Sequence, residues 1–197
     1  MDYLVIYLHG FLSSPQSHKA QQTMAFVQAN YPDLCFEVPK LANYPAQAAE
    51  IIEQVIAQYA NKNQYPNKKL RFIGSSLGGF LSTYMCEKYA AKGVLINPAV
   101  KPYELLMDHL GEQENYHTGE RVNIEASFMD ELKVIEQTHL TKKNYRVMLQ
   151  TDDEVLDYQQ AEKKYQGCQL VIEQGGDHSF INFQAHLPDI MRFFIAG

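Results

Sequence analysis

Apolar positions along the chain fall into two alternating patterns. Tyr3-Leu-Val-Ile-Tyr-Leu8 is a continuous apolar run closed by His9-Gly10, which predicts a strand buried on both faces of a parallel sheet rather than an alternating edge strand. After Ser13-Ser14-Pro15, residues Ala20, Met24, Val27 and Tyr31 recur at helical spacing until Tyr31-Pro32 stops the helix. Leu34-Cys-Phe-Glu-Val38, closed by Pro39, predicts a second strand, and Ala48, Ile51, Ile52, Val55, Ile56 and Tyr59 line one face of a second helix. A loop from Asn61 to Lys68 leads to a third strand, Leu70-Arg-Phe-Ile73. Beyond Gly78, the residues Phe80, Leu81, Tyr84, Met85 and Tyr89 form a third helix, and Gly93-Val-Leu-Ile96 returns as a fourth strand.

Asn97-Pro98 ends that strand and the character of the chain changes. From about Val100 to Leu140 it is more charged, richer in Tyr, His and Asn, and longer than a crossover needs, which predicts a cap-like insertion at 100–140. Its Tyr, Leu and Met side chains suggest an apolar acyl pocket. Arg146-Val-Met-Leu149 resumes the strands, Glu154 to Tyr165 predicts a helix, Cys168-Gln-Leu-Val-Ile172 a further strand, and Phe183 to Phe194 a closing helix. The expectation is a single α/β domain over 1–197. It is a doubly wound, mainly parallel sheet of about six strands with helices on both faces, binding ligands beyond the carboxyl ends of the strands.

Composition narrows the function. With 46% hydrophobic and 20% charged residues the chain is that of an ordinary globular protein. A net charge of -6 without a Lys/Arg cluster argues against a nucleic-acid partner. Met1-Asp2-Tyr3 is acidic where a secretory signal is basic, and the first apolar run is too short for a signal core or a membrane span, so a cytoplasmic location is expected. Cys35, Cys86 and Cys168 form no C-x-x-C pair and read as small buried apolar residues in a reducing compartment.

The chemistry concentrates at Gly74-Ser75-Ser76-Leu77-Gly78, a G-x-S-x-G between a predicted strand and a predicted helix. At such a turn the nucleophile sits on strained backbone, glycines on either side avoid a Cβ collision, and the Ser76 hydroxyl is held above the sheet at the positive end of a helix. A neutral hydroxyl is a poor nucleophile, so an acid and then a histidine are expected later in the chain. His178, in Gly175-Gly-Asp-His-Ser179 after the last predicted strand, is the candidate base, whereas His186 reads as a partly exposed residue of the closing helix. The acid comes from Thr151-Asp-Asp-Glu-Val-Leu-Asp157. Asp153 is the choice, with Val155 anchoring the loop, Asp157 already on the helix and Asp152 kept as the alternative. Asp177 reads as a turn former.

Acyl transfer also needs donors for the developing oxyanion. The backbone N–H of Leu77 and that of Phe11, in Leu8-His-Gly-Phe-Leu12, are the candidates, with His9 as a structural hydrogen-bonding residue. His18, His109, His117 and His139 show no metal-ligand spacing. The mechanism calls for no metal and no cofactor.

These segments together resemble the α/β-hydrolase superfamily and, more narrowly, the small bacterial YqiA-like esterases. The narrower likeness rests on His9-Gly-Phe-Leu-Ser-Ser-Pro15, Gly74-Ser-Ser-Leu-Gly-Gly79, Asn97-Pro-Ala-Val100 with Tyr103-Glu-Leu-Leu106, Asp153-Glu-Val-Leu-Asp-Tyr158 and Gly175-Gly-Asp-His178. Asp152 stands where that family commonly has Gly. The resemblance implies a minimal α/β-hydrolase fold, the triad Ser76, Asp153 and His178, and hydrolysis of short-chain acyl esters or thioesters. The expected partner is a small-molecule acyl ester, and the expected state a monomer or small homo-oligomer.

Overall fold

A computed structural model describes residues 3–63, 69–115 and 118–195. Met1-Asp2, the 64–68 part of the expected loop and His117 lie outside the described residues. In chain order the elements are β1 (Leu4–Leu8), α1 (His18–Asn30), β2 (Cys35–Glu37), α2 (Pro45–Asn63), β3 (Leu70–Ser76), α3 (Leu77–Tyr89) and β4 (Lys92–Pro98). There follow α4 (Pro102–Leu106), β5 (Gly111–Glu114), β6 (Arg121–Ile124), α5 (Ser127–Val134), β7 (Tyr145–Gln150), α6 (Tyr158–Lys164), β8 (Gln169–Glu173) and α7 (Leu187–Ile195).

The main sheet runs β2-β1-β3-β4-β7-β8, and every neighbouring pair in it is parallel. Its two faces follow from the strand period of two. On β1, Leu4, Ile6 and Leu8 face a core shared with Ile52 and Ile56 of α2, Leu81 and Met85 of α3, and Ala161 of α6. Val5 and Tyr7 face a second core built by Ala20 and Val27 of α1 and by Ile190, Met191 and Phe194 of α7. Both faces being covered, the central strands are buried along nearly their whole length, and β1 is apolar throughout. The chain goes outward from β1 to β2, then crosses back to β3 on the other side, so strand order reverses between β1 and β3. A crevice opens at such a reversal beyond the carboxyl ends.

Between β4 and β7 the chain leaves this sheet. Strands β5 and β6 pair antiparallel as a separate ribbon, a feature the hydrophobic pattern did not predict because Gly-Glu-Gln-Glu114 has no apolar position at all. The ribbon and its flanking helices are joined by a third apolar cluster, in which Leu106, Val122, Ile124, Phe128, Met129 and Leu132 pack with Leu12 and Phe80. The Leu and Met side chains at 106, 129 and 132 thus pack the segment's own core. Helix α3 is buried nearly all round, because the sheet takes one side of it and this cluster receives Phe80.

Helix α6 begins at Tyr158, later than the expected Glu154. The Asp153 carboxylate accepts the N–H groups of Val155 and Leu156 at 2.9 and 2.8 Å, which turns the chain before a helix can start. Asp157 then caps α6 by accepting the Gln159 N–H at 2.9 Å, so it precedes the helix instead of lying on it. Val155 is 45% exposed and anchors nothing. The closing helix is likewise in two parts, a 3-10 turn at Phe183–His186 followed by α7. Of the cysteines, Cys86 is buried, whereas Cys35 and Cys168 are only half-buried. Burial pushes the Cys86 thiol well up, so it stays protonated.

Candidate active site

Strand β3 runs directly into α3, and Ser76 stands at the join with φ 55° and ψ -121°. That left-handed backbone is strained for a serine. The surrounding glycines show what holds the turn. A Cβ on Gly74 would lie 2.2 Å from the Gly78 carbonyl oxygen, and one on Gly78 only 2.0 Å from that of Leu8. Neither position admits any side chain, because the clashing atoms are backbone. Gly10, beyond β1, faces the serine itself, since a Cβ there would come 3.4 Å from Ser76 Cβ and 3.9 Å from its Oγ. The β1 loop carrying Phe11 and the β3 turn carrying Ser76 and Leu77 are therefore neighbours at the reversal of strand order. Phe11 and Leu77 both pack against the third apolar cluster.

His178 follows β8, and its Nδ1 lies 3.0 and 2.9 Å from the two carboxylate oxygens of Asp153, which follows β7. An ionised carboxylate only accepts, so the ring proton is on Nδ1 and the lone pair on Nε2. The Asp153 side chain is 2% exposed and that of His178 is 24% exposed. A nearly buried acid is thus paired with a base that solutes can reach. Two backbone N–H groups and the ring satisfy the buried carboxylate, as a desolvated charge requires. Asp152 is exposed, and its carboxylate takes the Thr151 hydroxyl, not the ring. Glu154 accepts the His178 backbone N–H at 3.0 Å.

Two buried amides that the sequence reading did not single out hold this arrangement together. Asn97, at φ 40° near the end of β4, donates to the carbonyls of Asp177 and His178 at 3.0 and 3.4 Å, while its Oδ1 accepts the Gln150 N–H at 3.0 Å. Gln150, ending β7, accepts the Asp177 and Ile181 N–H groups on Oε1 at 3.1 and 2.8 Å and donates from Nε2 to Glu173 and to the Ile181 carbonyl. The loop bearing His178 is bracketed from both sides. Two residues beyond Asn97, the Ala99 N–H donates to the Ser76 carbonyl at 3.1 Å, so the end of β4 and the residue after it are tied to the histidine loop and to the serine. The available signal was modest: a polar amide at or next to the end of each of two mostly apolar strands.

Other candidate residues have local partners. His9 is 4% exposed. Its Nε2 accepts the Leu41 N–H at 3.2 Å, which leaves Nδ1 to donate to the Gly10 carbonyl at 3.0 Å; it fastens the β1 loop. Asp177 accepts the Ser179 hydroxyl and shapes the turn. His186 lies in the 3-10 turn with 17% of its side chain exposed, 3.0 Å from Glu173 and edge-on to Phe180. It is partly exposed, as expected, but it sits in a 3-10 turn and packs on the loop that carries His178. Among the described residues, no three His, Cys, Asp or Glu side chains gather as metal ligands would, and no helix is long and apolar enough to cross a membrane.

The strand order, the covered faces and the serine at the β3–α3 turn define an α/β-hydrolase fold. Est1E from Butyrivibrio proteoclasticus superposes with a TM-score of 0.69 at 17% identity, over 99% of this chain and 89% of its own. Mouse alpha/beta hydrolase domain-containing protein 10 does so at 0.65 and 16%, over 95% and 88%. Residues 4–195 match the model of the uncharacterised protein family UPF0227, and the chain belongs to that family, a YcfP- and YqiA-like group. YcfP of Salmonella gallinarum is similar to it throughout, with 26% identity over 98% of this chain and 100% of that one.

Proposed function

We propose that this protein is a serine esterase that hydrolyses short-chain acyl esters through an acyl-enzyme. The observation that carries the reading is the Asp153–His178 pair, bracketed by the same β4 turn that bonds the strained Ser76. In this mechanism Ser76 Oγ attacks the ester carbonyl as His178 Nε2 takes its proton, and Asp153 stabilises the resulting imidazolium. The N–H groups of Phe11 and Leu77 hold the oxyanion. Collapse expels the alcohol, which receives the proton from His178, and a water activated by the same ring releases the acid. The 100–140 segment acts as a partial cap over this site.

The short acyl group rests on the family resemblance. Between the end of β4 and the acid loop lies a cavity of about 150 Å³ whose lining is mixed, with Val100, Leu105 and Leu156 beside Lys101, Glu104 and Gln160. Many of the protein's structural neighbours are hydrolases and esterases, among them Est1E and an esterase domain from Rhodothermus marinus. A cytoplasmic monomer or small homo-oligomer completes the reading.

The test is turnover of p-nitrophenyl acetate and butyrate by the wild type and by Ser76→Ala. The expected loss is roughly 10⁴-fold or more, with a fluorophosphonate adduct found by mass spectrometry on Ser76 of the wild type alone. Undiminished turnover in Ser76→Ala refutes the assignment. Acyl-CoA thioesters and anilides in the same panel define the leaving group.

A further inference from the structure

Lys19 is the second residue of α1, and it is half-buried. Its Nζ donates to the carbonyl of Ser179, the residue after the candidate base, at 2.7 Å. Two features make it a costly place for an ammonium. The first turn of α1 carries no acidic residue, so no carboxylate of the helix itself balances the cation at its positive end. The side chain is also desolvated, and that burial draws the ammonium down to about 8, against the opposing pull of Asp177 and then Asp153. Helix stability does not account for a lysine here.

The groups it acts on do. Asp177 and Ser179 flank His178 in the chain, and Asp153 is the partner of the His178 ring. On α1 itself His18 is exposed, and Gln22 reaches Gln184 of the 3-10 turn at 3.3 Å. From that turn, His186 is directed onto Glu173 and Phe180, and Glu154 is held on the His178 backbone N–H. The ammonium therefore meets the base loop and the charge of the acid.

We propose that Lys19 is a positioning residue of the base: its ammonium clamps the loop through the Ser179 carbonyl, and its charge opposes protonation of His178, keeping Nε2 an acceptor in mildly acidic solution. This rests on His178 being the base. A positive charge close to the His–Asp pair disfavours the imidazolium, so more of the enzyme carries a competent base on the acid side of neutrality. Below about pH 8 the ammonium is charged, which spans the range in which a histidine titrates.

The experiment compares the wild type with Lys19→Met, Lys19→Gln and Lys19→Arg. One readout is the titration of the His178 ring by NMR, its signal assigned with His178→Asn. The other is the pH profile of kcat/KM with p-nitrophenyl butyrate. In Lys19→Met and Lys19→Gln the ring midpoint and the acid limb should both rise by roughly half a unit to one unit, and Lys19→Arg should restore them. Gln serves if Met does not fold. A fall in kcat with an unmoved midpoint is what a merely structural lysine gives, and it overturns the proposal. The ring titration needs no turnover, so it is read even if the esterase reading fails.

Discussion

At the residue scale, the site depends on side chains that never meet a substrate in the proposed reaction. Gln150 is 3% exposed, and it uses both ends of its amide on the loop that carries His178. Truncating it removes the acceptor of two N–H groups, those of Asp177 and Ile181. A fully buried donor left unsatisfied costs about 1–3 kcal/mol, and these two are part-buried, so Gln150→Ala should lose roughly 1–3 kcal/mol in urea denaturation. Its kcat/KM should fall further than global unfolding explains, because the loop loses its bracket while the sheet remains. Equal stability in the two proteins would show that the network is redundant.

The same bracket shows where sequence reading stopped. The strained turn at Ser76 and the contact between Asp153 and His178 were legible because each residue lies in a short local pattern: glycines around a strand–helix turn, a carboxylate-rich loop after a strand, and a glycine-rich turn after another. Asn97 and Gln150 are not local. Their roles exist because β4, β7 and the loop after β8 come together, and a polar residue near a strand end does not say which distant segment it will meet. The 3-10 setting of His186 was hidden for a similar reason, since Glu173 at the end of β8 and Phe180 in the loop beyond it are what it packs on.

At the element scale, the β3–α3 unit is held by contacts too close for a side chain. Gly78 packs against the Leu8 carbonyl, so it fixes α3 against β1, whereas Gly10 only borders the serine. Gly78→Ala should therefore fail to give folded protein, or lose more than ~4 kcal/mol. Gly10→Ala meets ordinary contact distances and should keep its thermal stability, yet lose activity by narrowing the approach to Ser76 Oγ. Thermal unfolding and esterase assays on both variants check this, and a stable Gly78→Ala would contradict it. The element boundaries that the pattern misplaced share one cause. At Asp153 and Asp157 a carboxylate takes backbone N–H groups that a helix would otherwise leave open, and periodicity is blind to that competition. Similarly, β6 alternates buried and exposed positions as a strand should, but its partner β5 is polar along its length.

At the scale of the whole molecule, the alternation of strands and helices read from apolar periods gave the order of the main elements and the doubly wound class. It could not give the sheet order, which depends on which faces the helices cover. Two cores separate cleanly across the sheet, and a third fastens the 100–140 segment to α3 and the β1 loop. Two long-range bonds reinforce that attachment, from Asn115 to the Ser13 carbonyl at 3.0 Å and from the Ala46 N–H to Glu131 at 3.0 Å. The segment is thus built into the molecule beside Phe11 and Leu77, which suits a fixed wall better than a swinging door.

The position of β8 has a temporal consequence. Among the described residues it is an edge strand bonded to β7 alone, it follows the other strands of the sheet in the chain, and the loop after it carries the imidazole of His178. An edge strand docks only once its neighbour is in place, and β7 itself must first close onto β4 across a longer stretch of chain (Gly93 to Tyr145) than the one that separates it from β8 (Arg146 to Gln169). During refolding from urea, the tyrosine fluorescence of the interior should recover before hydrolysis of p-nitrophenyl butyrate does, and the lag should be the time β8 takes to dock. Simultaneous recovery of both signals would mean that the edge assembles with the rest. In the proposed reaction, a chain folded only as far as β7 would carry Ser76 without its base.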